Sequence, residues 1–97
     1  MKFIIMFSWA ADGKVQREGI ERFAKTGGGL PPKGVTLLGR WTRADFSGGF
    51  DLIESDDVQA MTEFALGWSD LMKLEMIPVI EDEQIGPLFA KMFAPPS

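Results

Sequence analysis

The sequence predicts an α+β fold: one four-stranded antiparallel sheet with helices on one face and an extra helix at the C-terminal end. Three observations predict it. The stretch Phe3-Ile4-Ile5-Met6-Phe7 is apolar on both parities, with Phe3, Ile5 and Phe7 pointing one way and Ile4 and Met6 the other. A strand of that kind needs cover on both faces. Helix-period and strand-period segments then alternate in the order βαββαβ, followed by a last helix. At 97 residues the chain has helices enough to cover one face of the sheet, so a second copy of the same sheet is the simplest cover for the other.

The elements follow in order. After the first strand, Ala10-Ala11-Asp12-Gly13 reads as a turn, with Asp12 placed to cap the next helix. Residues 14–25 form that helix, with Val15, Gly19, Ile20, Phe23 and Ala24 on one stripe and the charged residues mostly opposite. Gly27-Gly28-Gly29 ends it, because glycine reaches the left-handed conformation that closes helices. A phosphate cradle would instead precede a helix N-terminus, where backbone N–H groups and the dipole favour an anion.

Leu30-Pro31-Pro32-Lys33-Gly34 is a stiff connector into the second strand, residues 35–43. The third strand, Gly48–Glu54, follows a turn through Ala44-Asp45-Phe46-Ser47. Pairing Arg43 with Gly48 puts Arg40 opposite Asp51 and Trp41 opposite Phe50, an ion pair and an aromatic pair in one register. In that register Leu38 and Ile53 lie on the ion-pair face, and Leu37 and Leu52 on the aromatic one.

The second helix opens at Ser55-Asp56-Asp57, with Asp56 read as the cap and Gln59 at capping-box spacing. Val58, Met61, Ala65, Trp68 and Leu71 form its expected buried stripe. Residues 74–80 make the fourth strand, at an edge because Pro78 cannot donate to a ladder. The last helix falls within residues 83–93, and Gly86-Pro87 fits a start at Pro87. Right-handed crossovers then give a split βαβ, ferredoxin-like sheet of order 4-1-3-2. Residues 1–93 make a single domain and 94–97 a frayed tail.

Composition bounds the chemistry. The chain is 45% apolar and 25% charged, which suits one globular domain. It has no cysteine, which removes thiolate nucleophiles and thiolate metal sites and fits a reducing compartment; the expected location is cytoplasmic. It has no histidine, so the commonest metal ligand and general base are absent, and no metal or other cofactor is expected. Residues 1–50 carry eight Lys/Arg and four Asp/Glu, and residues 51–97 carry two and ten. Net charge is −4 with no basic run, so nucleic acid is not an expected partner. The N-terminal apolar run is at the short limit of a signal-peptide core and follows a single lysine, so it reads as a strand, and no stretch is long enough to span a membrane.

Several segments together resemble a known family. Gly34-Val35, Gly39-Arg40-Trp41, Gly49-Phe50, Leu52-Ile53-Glu54-Ser55-Asp56-Asp57, Trp68-Ser69-Asp70-Leu71, and Glu75 with Pro78-Val79 resemble the domain-of-unknown-function 3303 family, over residues 1 to about 93. That family is similar to the dimeric α/β-barrel proteins, in which two ferredoxin-like sheets face each other. The resemblance therefore implies a homodimer, the assembly that the two-faced first strand suggests on other grounds. Many members carry a histidine after the tryptophan, where this chain has Thr42. The wider superfamily includes cofactor-independent monooxygenases and isomerases, but fold alone does not transmit function.

Three functional expectations follow. The leading one is a small apolar or aromatic ligand held between sheet and helices near Trp41, Phe50, Phe64 and Trp68, with Arg40 or Arg43 holding an acidic group. The second is a cofactor-independent monooxygenase or isomerase-like enzyme, with Glu54 or Arg43 as the polar participant; Glu54 would have to share its face with the helices to be partly buried. The third is a structural or regulatory dimer without ligand, in which Trp41 and Trp68 only pack. Trp9, at the end of the first strand, either rims an opening or has no role.

Overall fold

A computed structural model of the chain describes residues 1–9 and 13–95. Strand β1 (Lys2–Trp9) is followed by α1 (Gly13–Lys25), the hairpin β2 (Thr36–Thr42) and β3 (Gly48–Glu54), then α2 (Val58–Leu66), β4 (Met72–Val79) and α3 (Asp82–Met92). The four strands form one antiparallel sheet of order β2-β3-β1-β4, the ferredoxin-like order expected from the sequence. The apolar strand β1 is central, and β4 with its Pro78 is an edge. The turn and cap expected at Ala10-Ala11-Asp12 lie outside the described residues. Among the described residues no helix is long and apolar enough to cross a membrane.

The two parities of β1 part as its sequence requires. Ile5 is buried with Ile53, Val35, Ala60, Met61 and Phe64 in the core between sheet and helices, and Phe3, Leu37, Leu74 and Met76 pack against it. Met6, on the opposite parity, stands across from Phe50, which stands across from Trp41; all three are well exposed, with Trp41 half so. One face of the sheet is thus covered by helices. The other is open and carries large apolar side chains.

The hairpin register holds: Arg40 pairs with Asp51 and Trp41 with Phe50. Beyond it the pairing shifts between Leu37 and Gly39, so Leu37 faces Ile53. This corrects the expected faces. The extra residue, Leu38, moves Leu37 to the helix side, where it joins the core, and leaves Leu38 itself exposed.

Three helix details also differ. The cap of α2 is Asp57, whose carboxylate accepts the Ala60 N–H at 3.0 Å, while Asp56 pairs with the N-terminal amine. With the helix starting one residue later, Ala60, Met61 and Phe64 face inward and Val58 is exposed. In α1 only Gly19 is fully buried, and Ile20 and Phe23 are exposed, because the helix stands off the sheet over a cavity. Helix α3 begins at Asp82, not Pro87. Glu81 and Gln84 form a reciprocal capping box, and Asp82 and Glu83 sit at the positive end of the dipole. Pro87 therefore lies inside the helix, where it cannot donate to the carbonyl one turn back.

Candidate ligand cavity

At the C-terminal end of β1 the layers part around a cavity of about 200 Å³. Its floor is the helix-side face of the sheet, with Ile5, Phe7, Trp9, Arg40, Thr42, Asp51, Met72 and Leu74; its roof is Gly19 and Phe23 of α1, Phe64 and Ala65 of α2, and Trp68. Phe46, from the β2–β3 turn, closes the end.

Glycines let the aromatic rings lie where they do. The Trp9 indole rests against Gly19, where any Cβ would clash with the ring, and this explains a glycine inside an amphipathic helix. Phe7 lies against Gly49 in the same way. Trp9 also stacks on Phe46, with ring centroids 5.8 Å apart and planes 25° apart. Phe46 holds a left-handed backbone conformation, φ 58°, which a non-glycine residue adopts at a cost of about 1–2 kcal/mol. The turn around it supplies the restraint: Phe46 N–H donates to the Arg43 carbonyl, and the Asp45 carboxylate accepts from both Ser47 N–H and Ser47 Oγ.

Those Ser47 hydrogen bonds, with Arg43 beside them, hold the Asp45 carboxyl down at about 2. Because its folded value is depressed, its contribution to stability is present above the ordinary carboxylate range and is lost as pH falls through about 2. Carbon-detected NMR titration should therefore place the Asp45 carboxyl midpoint near 2. A midpoint near 4 would show that the turn does not hold its carboxylate.

The polar groups of the cavity are largely spoken for. Arg40 donates from Nε and Nη2 to the two Asp51 oxygens at 2.7 and 3.1 Å, and from Nη1 and Nη2 to the Gly28 and Gly29 carbonyls at 2.6 and 2.9 Å. Its guanidinium also lies over the Phe23 ring, 5.5 Å from the centroid. The triple glycine, all at positive φ, thus turns carbonyls toward Arg40, the reverse of a phosphate cradle. One polar atom stands apart. Nε1 of Trp9 is buried and has no hydrogen-bond partner among the described residues, and such an orphaned donor calls for an explanation.

The residues named from the sequence divide between the two sides of the sheet. Phe64 and Trp68 line the cavity. Trp41 and Phe50 do not: they stack on each other on the open face, centroids 5.0 Å apart, and the space expected beside Gly39 is filled by the Trp41 indole itself. Arg43 lies on that open side, largely exposed and paired with Asp45. Glu54 shares the parity of Phe50 and Leu52, across from Lys2, and is exposed; it does not face the helices. The sheet therefore separates the expected site into an aromatic cavity and an aromatic outer face. Phe46 and Phe23 are cavity aromatics that sequence reasoning left out of the site, and Trp9, read as rimming an opening or idle, lies in the cavity wall. The parity of Trp9 with Phe3, Ile5 and Phe7, and the glycine at 19, were the signals that place it there.

Around the cavity, the motif residues act as fasteners. Asp70 receives two hydrogen bonds from Arg22, at 2.8 and 2.9 Å, which clasp α1 to the segment after α2 and hold the Asp70 carboxyl below its ordinary range. Arg22 lies over the Trp68 ring as well, 5.7 Å from its centroid. Ser55 is buried, donates to the Gly34 carbonyl at 2.6 Å and accepts from Asp57 N–H, tying the entry of β2 to the start of α2. Among the described residues no group of acidic side chains is arranged to hold a metal ion.

A βαββαβ sheet with helices on one face, an open apolar face behind and an aromatic cavity between the layers defines a ferredoxin-like α+β protein. The chain belongs to the DUF3303 family, a domain of unknown function whose model matches residues 1–93. No curated protein matches the chain.

Proposed function

We propose that this protein is a homodimeric binding module for a small aromatic molecule that carries one hydrogen-bond acceptor. The observation that carries the reading is Trp9, a wall residue of a largely apolar cavity, whose buried Nε1 has no partner among the described residues. An unmet buried donor costs about 1–3 kcal/mol, and a ligand carbonyl or ether oxygen would remove that cost on binding. The volume suits one substituted ring, since apolar cavities of roughly 150 Å³ hold benzene. A ligand-free structural role would be better served by a filled core. The enzyme reading rested on Glu54 and Arg43, which stand on the far side of the sheet, and Asp51 in the cavity is engaged twice by Arg40. The homodimer is supported by the open face, where Met6, Phe50, Trp41 and Ile77 are all exposed.

Acetophenone and ethylbenzene, matched in size but differing in the carbonyl, provide the test. Acetophenone should shift the Trp9 indole N–H resonance and bind more tightly than ethylbenzene. Trp9→Phe should weaken acetophenone by about five- to tenfold, the value of one hydrogen bond, and leave ethylbenzene nearly unchanged. Equal binding of both probes, or no perturbation of cavity residues by either at millimolar concentration, would defeat the reading.

A further inference from the structure

We infer that α3 is an exchanged arm: it docks not on its own subunit but on a second copy of this chain, against the partner's open sheet face. The inference goes beyond the proposed dimer, on which it rests, by assigning its main contact to a segment outside the sheet.

Four observations carry it. First, α3 presents a continuous apolar stripe, Ile85, Leu88, Phe89, Met92 and then Phe93, at the i, i+3, i+4, i+7, i+8 spacing of a buried helix face. None of it is buried; Met92 and Phe93 are more than 70% exposed. Second, an 11-residue helix interrupted by Gly86 and Pro87 is below the length at which isolated helices persist in water, so its stability must come from packing. Its own subunit supplies little: among the described residues the side-chain bond that reaches its cap is the ion pair of Lys2 with Glu81.

Third, the subunit is elongated. Its radius of gyration is 16.9 Å and its long axis 61 Å, whereas a compact chain of this length has a radius near 13 Å. Fourth, the areas match only when both surfaces are used. At roughly 150–250 Å² for a large side chain, the exposed fractions of the open face give roughly 400 Å² of apolar surface. That is about half of what each partner contributes to a stable interface. The exposed stripe of α3 adds roughly 500 Å² on the same scale, which brings each subunit to the required size. A two-fold axis lets each arm meet the other subunit's sheet and leaves no unmatched patch.

The test compares the intact chain with the double substitution Leu88→Glu and Phe89→Glu by sedimentation equilibrium. The intact chain should be a dimer at micromolar concentration. The variant should keep its near-UV signature, because the arm is not part of its own core, and dimerise at least about thirtyfold more weakly. Mixed dimers of isotope-labelled and unlabelled chains should give intermolecular contacts from Leu88 and Met92 methyls to Met6 and Ile77. A monomeric intact chain would defeat both the dimer and the arm. A dimer whose affinity survives the double substitution, or whose α3 methyls show only intrachain contacts, would defeat the arm alone and leave the sheet-face dimer standing.

Discussion

Arg40→Met should cost about 3–5 kcal/mol of folding stability, the penalty for removing one member of a buried ion pair. Asp51 is 5% exposed, and Arg40 is its bidentate partner. Methionine fills much of the same volume, so the loss is not chiefly one of packing. It comes from the uncompensated Asp51 carboxylate and from the Gly28 and Gly29 carbonyls, which lose their donor. Against a total of about 5–10 kcal/mol for a domain of this length, the variant should be marginal. Urea unfolding measures the effect. The double substitution Arg40→Met with Asp51→Leu separates charge from shape, because replacing both partners of a buried pair is often close to neutral. It should recover most of the deficit, leaving the cost of two unmet glycine carbonyls. If Arg40→Met costs less than about 1 kcal/mol, water reaches the pair and the wall of the cavity is more open than its geometry implies.

The legible part of the fold was the part governed by period and pairing. The two-sided apolarity of residues 3–7 placed β1 at the centre, and the coincidence of Arg40 with Asp51 and Trp41 with Phe50 set the hairpin register. What the sequence did not reveal was which parity meets the helices. Phe50-Asp51-Leu52-Ile53 offers apolar residues to both sides, and burying an aspartate is unfavourable in isolation. The helices nevertheless cover the Asp51 side, because Arg40 and two glycine carbonyls form a closed polar cluster there. That inversion sends Trp41 and Phe50 outward and explains why the expected ligand site was divided. The bulge at Leu38 was hidden for a similar reason: two successive leucines fit either face, and one-residue slips cannot be read from residues of the same kind. The start of α3 at Asp82 was hidden because its capping box is built on Glu81, not on the Ser or Thr that marks such a box in a sequence, whereas Pro87 carries the familiar first-turn preference.

Trp41→Ala should have a small effect on the isolated subunit and a large one on assembly. Trp41 is 50% exposed and stacks on Phe50, so truncation removes a stacked surface pair without opening a buried cavity. About 1 kcal/mol of intrinsic stability is expected, well below the 3–5 kcal/mol of a core aromatic. In the proposed dimer the same indole would be a central anchor. Tryptophan is the residue most enriched among interface hot spots, and truncation of such an anchor costs 2 kcal/mol or more, at least about thirtyfold in dissociation constant. The two effects separate on dilution. At high concentration the unfolding midpoint of the variant should fall well below that of the intact protein, and on dilution the two should converge, because dissociation removes the contribution that the variant lacks. A loss above about 3 kcal/mol that is independent of concentration would instead make Trp41 part of a single-subunit core and remove the outer face as an interface.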